Sequence, residues 1–377
     1  MTSMDAVQGK RPRLHGIESL RAYAAVAIIM FHVIGIASLQ IPEVLNFVKY
    51  NFGFGVPLFF VVSAFSMAYG YWGALHNEEH IGNYFLRRFF RIAPLFYTIL
   101  ICQLIMVRYV NGISFSFLDI LLNVTFLFNL IPHLTDGIVP ASWSIGVEML
   151  FYGLFPVLLI FAKTLLRALV LLFLAILMAS HFSVQLSPFV DKIPSFAYHN
   201  FIVDFPYFCW GIVAFHVYTY LVKVAPQAGS AWISRGLCVL ALALLVLLYK
   251  NSSLYMYFWT RGLRTTWDTL WGIPFSLLCI GLSFHATRML TNPVTEYLGK
   301  ISFSLYLVHP NVVSYLGIWG AYKFMYGIVP GNHGLGFALS CILTIVVVAI
   351  IASLTFKYIE QPGMAWGKRL TKRTATA

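Results

Sequence analysis

The sequence predicts an all-α protein: a polytopic membrane helix bundle of about ten transmembrane helices plus a short re-entrant or interfacial helix. Of its 377 residues, 60% are hydrophobic and 10% charged. Counting the 27 glycines as well, roughly two thirds of the chain is apolar, against about 45–50% in soluble domains. Mean hydropathy is +0.80. The apolar residues gather into runs of the length a helix needs to cross a hydrocarbon core about 30 Å thick. This excludes a soluble enzyme, a disordered chain and a nucleic-acid-binding domain. The medium these helices require is a lipid bilayer.

Residues 1–19 form a basic segment expected in the cytoplasm, followed by a membrane domain over 20–357 and a basic cytoplasmic tail over 358–377. The first apolar run, from Leu20, is longer than a signal-peptide core and lacks a small-x-small cleavage site, so it reads as a retained helix. Ten segments are long enough to span: about 20–39, 53–72, 93–110, 142–161, 167–185, 200–222, 233–250, 267–286, 301–320 and 335–357. An eleventh, 118–132, is short, carries Asp119 and two asparagines, and ends in Pro132.

The excess of basic residues on cytoplasmic loops decides whether that segment spans. If it does not, Lys49, Arg108, Lys192, Lys250, Arg261, Arg264 and Lys323 face outward and the other 18 of the 25 basic residues, among them Lys10, Arg11, Lys372 and Arg373, face inward. If it does, the balance is about 12 to 13. The first arrangement fits, with both termini cytoplasmic. The same rule explains the net charge of +12 without a polyanionic partner. The tail from Lys368 is expected to be disordered. The five cysteines stand singly in apolar runs, with no metal-ligand spacing.

Without a second domain, chemistry has to occur in or beside the bilayer, where ionisable groups are costly and are functional candidates by default. His32 lies in the first helix, eleven residues after Arg21. Eleven steps of 100° return to within about 20° of the same face, about 16 Å further along the helix. Arg21 is thus placed at the cytoplasmic mouth and His32 near mid-membrane. A helix-bonded histidine and a snorkelling arginine would give the same pattern.

Arg88 and Arg91, in Arg87-Arg88-Phe89-Phe90-Arg91, share a helix face. Their forked donors suit phosphate or pyrophosphate, although membrane topology also puts cations there. Glu148, in Ser142-Trp143-Ser144-Ile145-Gly146-Val147-Glu148, needs a partner and either acts chemically or clamps two helices. His309 is again deep, with Tyr306 on its face. Asp204 and Asp268 belong to no motif and read as helix–helix hydrogen-bonding groups. Gly53, Gly55 and Pro57 suggest a close or bent approach of the second span to the first.

Taken in order, these segments resemble the acyltransferase 3 family of integral membrane acyltransferases. The resemblance runs from Leu20-Arg21-Ala22 to His32, through GVPLFFVVSAF at 55–65, RRFFRIAP at 87–94, SWSIGVEMLFY at 142–152 and LGKISFSLYLVHP at 298–310, to the acidic-x-Pro motif at Glu360-Gln361-Pro362. Pro57 stands where many members carry an acid, and Ala64 where many carry glycine. The chain resembles the stand-alone members, without a fused hydrolase-like domain, that decorate glycans or small secondary metabolites.

The resemblance implies a bacterial inner-membrane enzyme that moves an acyl group, most often acetyl, from cytoplasmic acyl-CoA (acetyl-CoA) to a hydroxyl of a carbohydrate, glycolipid or related acceptor. No metal is implied, and acyl-CoA serves as donor substrate. By the same resemblance Arg21, Arg88 and Arg91 would hold the donor. His32 would act as general base or carry the acyl group, with Glu148 or another acid orienting it. Ser142, Trp143, Tyr306 and His309 would line the substrate pocket. The rival reading from the residues alone is a polytopic transporter or flippase without acyl chemistry. Inverted repeats and paired broken helices, which mark many transporters, are not found in the sequence.

Overall fold

The computed structural model describes residues 12–75, 78–225 and 230–374; Lys10 and Arg11 lie outside the described residues. Every regular element among them is helical. The chain runs through α1 (His15–Ala37), α2 (Asn46–Asn51), α3 (Gly55–Tyr71), α4 (Glu78–Asn111), α5 (Phe117–Val124) and α6 (Trp143–Phe161). It continues through α7 (Leu165–Leu186), α8 (Pro194–Tyr198), α9 (Phe201–Val224), α10 (Ser230–Lys250), α11 (Ser252–Thr260) and α12 (Arg264–Thr269). The last elements are α13 (Gly272–Phe284), α14 (Pro293–Lys300), α15 (Ser302–Ile318), α16 (Ala321–Ile328), α17 (His333–Thr355) and α18 (Gln361–Thr374). Among the described residues nine helices or joined helix pairs are long and apolar enough to cross a membrane. A tenth is completed if α14 and α15, bent by 74° at one residue, count as one span.

Helix α1 is central, packed against α3, α13, α14 and α15. Two glycines permit this. A Cβ on Gly55 would lie 2.7 Å from the Ala24 carbonyl oxygen, and one on Gly299 only 1.9 Å from that of Glu18. Any side chain at either position would push α3 or α14 off α1. The close approach expected at the start of the second span is therefore present at Gly55.

Segment 118–132 is not one continuous helix. Ser116 and Asp119 form a capping box at the start of α5: the Asp119 amide donates to Ser116 Oγ (3.1 Å) and the Ser116 amide to Asp119 Oδ2 (2.9 Å). Helix α5 then ends at Val124, and Phe126 takes a left-handed φ of 60°. The two asparagines serve the irregular backbone beyond it. Asn123 Oδ1 accepts from the Ile138 amide (2.9 Å), while Asn129 donates to the His199 carbonyl (2.9 Å) and accepts from the Phe201 amide (3.1 Å). Buried backbone groups outside regular structure need such partners.

One expectation is corrected. The basic tail is ordered helix as far as Thr374, and only residues 375–377 lie outside the described set. Helix α17 passes into α18 through a π-helical turn at Phe356–Glu360, so the helix is not interrupted at the expected domain boundary after residue 357. Packing supplies the reason. Buried Glu360 accepts a hydrogen bond from Ser304 of α15. The bare Cα atoms of Gly363 and Gly367 lie against Pro94 and Phe90 of α4, and the Trp366 and Phe90 rings meet edge to face at 5.7 Å.

Candidate active site

Among the described residues, two cavities with charged linings lie at different levels of α1. The first, about 60 Å³, is lined by Arg21, Arg88, Arg91, Ser63, Glu148 and Tyr152, among others. The second, about 340 Å³, is lined by His32, Trp143, His199, Asp204, Arg264 and Asp268, among others. Val56 and Tyr306 line both and form the partition between them. Arg21 and His32 share a helix face but open into different chambers, because side chains from α3 and α15 pass between them.

In the arginine chamber, three guanidinium groups converge. Arg88 and Arg91 point inward while Arg87 is exposed, as their spacing on one face of α4 requires. Arg21 donates to Ser66 Oγ (3.1 Å) and Arg88 to Tyr71 Oη (3.1 Å). The Arg88 guanidinium also lies 5.2 Å from the Tyr71 ring centre and 5.7 Å from that of Tyr152. Its Nε is buried and has no hydrogen-bond partner. Among the described residues the ion pairs are Arg13–Glu18, His15–Glu296 and Arg264–Asp268, so none of the three chamber arginines has a carboxylate within salt-bridge distance.

Glu148 shares this chamber, but both of its hydrogen bonds are to hydroxyls: Oε1 accepts from Ser63 Oγ (2.7 Å) and Tyr152 Oη (2.5 Å). It is thus held by α3 and its own helix, in the other chamber from His32, and its hydrogen bonds do not include that imidazole. These three half-buried cations outnumber the one carboxylate in the lining, an imbalance that an anion would offset. The chamber has the electrostatic form of an anion site.

In the histidine chamber the hydrogen-bond network fixes the tautomers. His309 is fully buried behind His32 and stands outside both cavity linings. Its Nδ1 meets the Tyr306 carbonyl, which can only accept, so Nδ1 carries the proton and Nε2 of the neutral ring is an acceptor. That Nε2 is 3.0 Å from His32 Nδ1, which is also 3.0 Å from the Ile28 carbonyl oxygen. His32 Nδ1 therefore carries a proton as well, which in the neutral ring puts the free lone pair on Nε2. This is the orientation a general base or nucleophile needs. The sequence suggests Glu148 or another acid as the orienter; the groups within hydrogen-bond distance of His32 Nδ1 are His309 Nε2 and the Ile28 carbonyl.

The other expected pocket residues divide. Trp143 lines the histidine chamber and stacks on His199, with ring centres 4.2 Å apart; Asn129 fixes the His199 backbone. Tyr306 in the partition accepts from Ser144 Oγ (2.7 Å) and donates to the Ala141 carbonyl (2.9 Å). Ser142 lines neither chamber. It is fully buried, and its hydroxyl donates to the Asp136 carbonyl (3.1 Å) in the loop before α6.

Four charged or histidine lining residues were not expected there: His199, Asp204, Arg264 and Asp268. Arg264 donates to Asp268 Oδ2 (3.2 Å), one helical turn away, and its guanidinium lies 4.2 Å from the Tyr198 ring centre. Asp204 is 5% exposed, and its Oδ2 has no hydrogen-bond partner. The signal for the acids was their membrane depth; what the sequence lacked was a partner to rule out the helix-bonding role.

Over residues 14–354 the chain matches the family model of the acyltransferase domain of the acyltransferase 3 family, and it belongs to that family of membrane acyltransferases. It is also similar to the Bacillus subtilis protein named "Putative peptidoglycan O-acetyltransferase YrhL", with 23% identity over 381 residues, covering 95% of this chain and 56% of the relative. The chain thus spans little more than half the length of that relative. No solved structure matches it.

Proposed function

We propose that the protein is an O-acyltransferase of the bacterial inner membrane, with both termini cytoplasmic, that moves an acyl group, acetyl by preference, from cytoplasmic acyl-CoA to a hydroxyl of a carbohydrate or glycolipid on the outer side. The observation that carries this reading is the pair of chambers meeting at Tyr306, one cationic without carboxylate partners and the other holding an imidazole with a free Nε2. The matched relative, named for peptidoglycan O-acetyl transfer, agrees with a glycan acceptor.

In this reading the arginines receive the anionic donor, with charge-assisted hydrogen bonds to phosphate, and the thioester arm rises toward the partition. The acceptor hydroxyl enters the other chamber. His32 Nε2 removes the hydroxyl proton as the oxygen attacks the thioester carbonyl. The C–S bond then breaks, the thiolate takes up a proton, and an ester and free CoA result. His309 acts through His32 as a positioning residue, holding the ring in the tautomer the step needs. Asp204, with an unpartnered oxygen in a lining residue, accepts a hydrogen bond from a further hydroxyl of the acceptor.

Sealed vesicles of known orientation test this. Acetyl-CoA on the face carrying the termini and glycan on the opposite face should give acetylated glycan, and the reverse loading should give none. Glycan that crosses the membrane unmodified would replace this reading with the transporter.

A further inference from the structure

A groove of about 610 Å³ adjoins the histidine chamber, with Tyr50, Phe54, Arg264 and Asp268 lining both. Three of the seven basic residues that the charge bias assigns to the side opposite the termini line this one groove: Lys49, Lys250 and Arg264. Asp268 is its one acid and is engaged by Arg264, which leaves two positive charges in excess. Lys49 and Lys250 are exposed. Each lies near a ring rather than a carboxylate, Lys49 Nζ 5.6 Å from the Tyr50 ring centre and Lys250 Nζ 5.5 Å from that of Tyr249.

Charge gathered here runs against the inward bias of basic residues in membrane proteins, so topology does not account for it. The tyrosines add flat faces for the C–H surfaces of sugar rings, and Asn46 adds an amide to the lining. The volume lies within the range of small-molecule sites. We propose that the groove is a subsite for a saccharide bearing a carboxylate or phosphate, with the anionic group held between Lys49 and Lys250 while the sugar reaches into the histidine chamber. This rests on the reading that the histidine chamber receives the acceptor.

The test is direct binding to the full chain in phosphatidylcholine nanodiscs, with no acyl donor present. The probes are the N-acetylglucosamine–N-acetylmuramic acid disaccharide and diacetylchitobiose, which lacks the lactyl carboxylate. The acidic disaccharide should bind about tenfold more tightly, as expected for a charge-assisted contact. The preference should shrink as salt rises and vanish in the Lys49→Gln/Lys250→Gln double variant. Equal binding of the two sugars, no binding of either, or a preference that survives the double variant would overturn the proposal. Replacing a third of the lipid with phosphatidylglycerol separates the other source of the same chemistry: a preserved preference supports the saccharide, and a lost one gives the groove to a lipid headgroup and overturns it. An intact preference in a chain that transfers no acyl group refutes the acyl-transfer reading alone; acyl transfer without the preference refutes the groove alone.

Discussion

The two chambers solve opposite electrostatic problems. The arginine chamber gathers three cations from α1 and α4 and leaves them without carboxylates, while its one acid, Glu148, is bonded to hydroxyls. The histidine chamber holds two acids and one arginine, with an imidazole held through its Nδ1. In the proposed reading the first attracts the anionic donor and the second moves a proton. What divides them is two side chains, Val56 and Tyr306, which makes each chamber's contribution separable by mutation.

The largest expected effect is at His32. His32→Ala should lower acyl transfer by about 10²–10⁴-fold, the scale of general base catalysis, while donor affinity and membrane insertion persist. Near-normal single-turnover rates in that variant would remove the imidazole from the chemistry. On the other side of the partition, Arg88→Ala or Arg91→Ala should each weaken acyl-CoA binding by about 10- to 100-fold, the loss of a charged hydrogen bond, and leave acceptor KM unchanged. A change in acceptor KM of equal size would erase the distinction between the chambers.

Asp204→Asn offers the mirror image, an increase in acceptor KM of about tenfold with donor KM unchanged, measured by varying each substrate in turn. A donor effect there would mean that the chambers communicate. Smallest, and neutral between the chambers, is Gly299→Ala. Wedging α14 off α1 should cost about 1–3 kcal/mol of stability, read as a lower midpoint in detergent-solubilised thermal unfolding, with equal fractional losses of donor and acceptor binding.

Local pattern carried much of this into the sequence. The turn-spacing of Arg88 and Arg91 on α4 put both into one chamber, and the apolar runs located the spans. The Arg21–His32 spacing was read correctly as one face and yet joined two sites that α3 and α15 keep apart, since helical phase is blind to what neighbouring helices insert. His199, Asp204, Arg264 and Asp268 meet His32 only through tertiary packing. Asn129 fixes a backbone 70 residues away, a relation no short motif records. The tail shows the same limit from the other direction: its charges suggested disorder, and Gly363, Gly367 and Glu360 dock it on α4 and α15.

Val56 and Tyr306, which line both polar cavities, also set the gap between them. Were both chambers filled with water and open to opposite faces, the voltage across the bilayer would fall mainly over that short gap rather than over the full hydrocarbon thickness. A charge displaced through it would feel a large share of the roughly 2.3 kcal/mol that 100 mV imparts to a unit charge. The rate of transfer in sealed vesicles should then respond to an imposed potential, and indifference to that potential would mean the field is spread elsewhere.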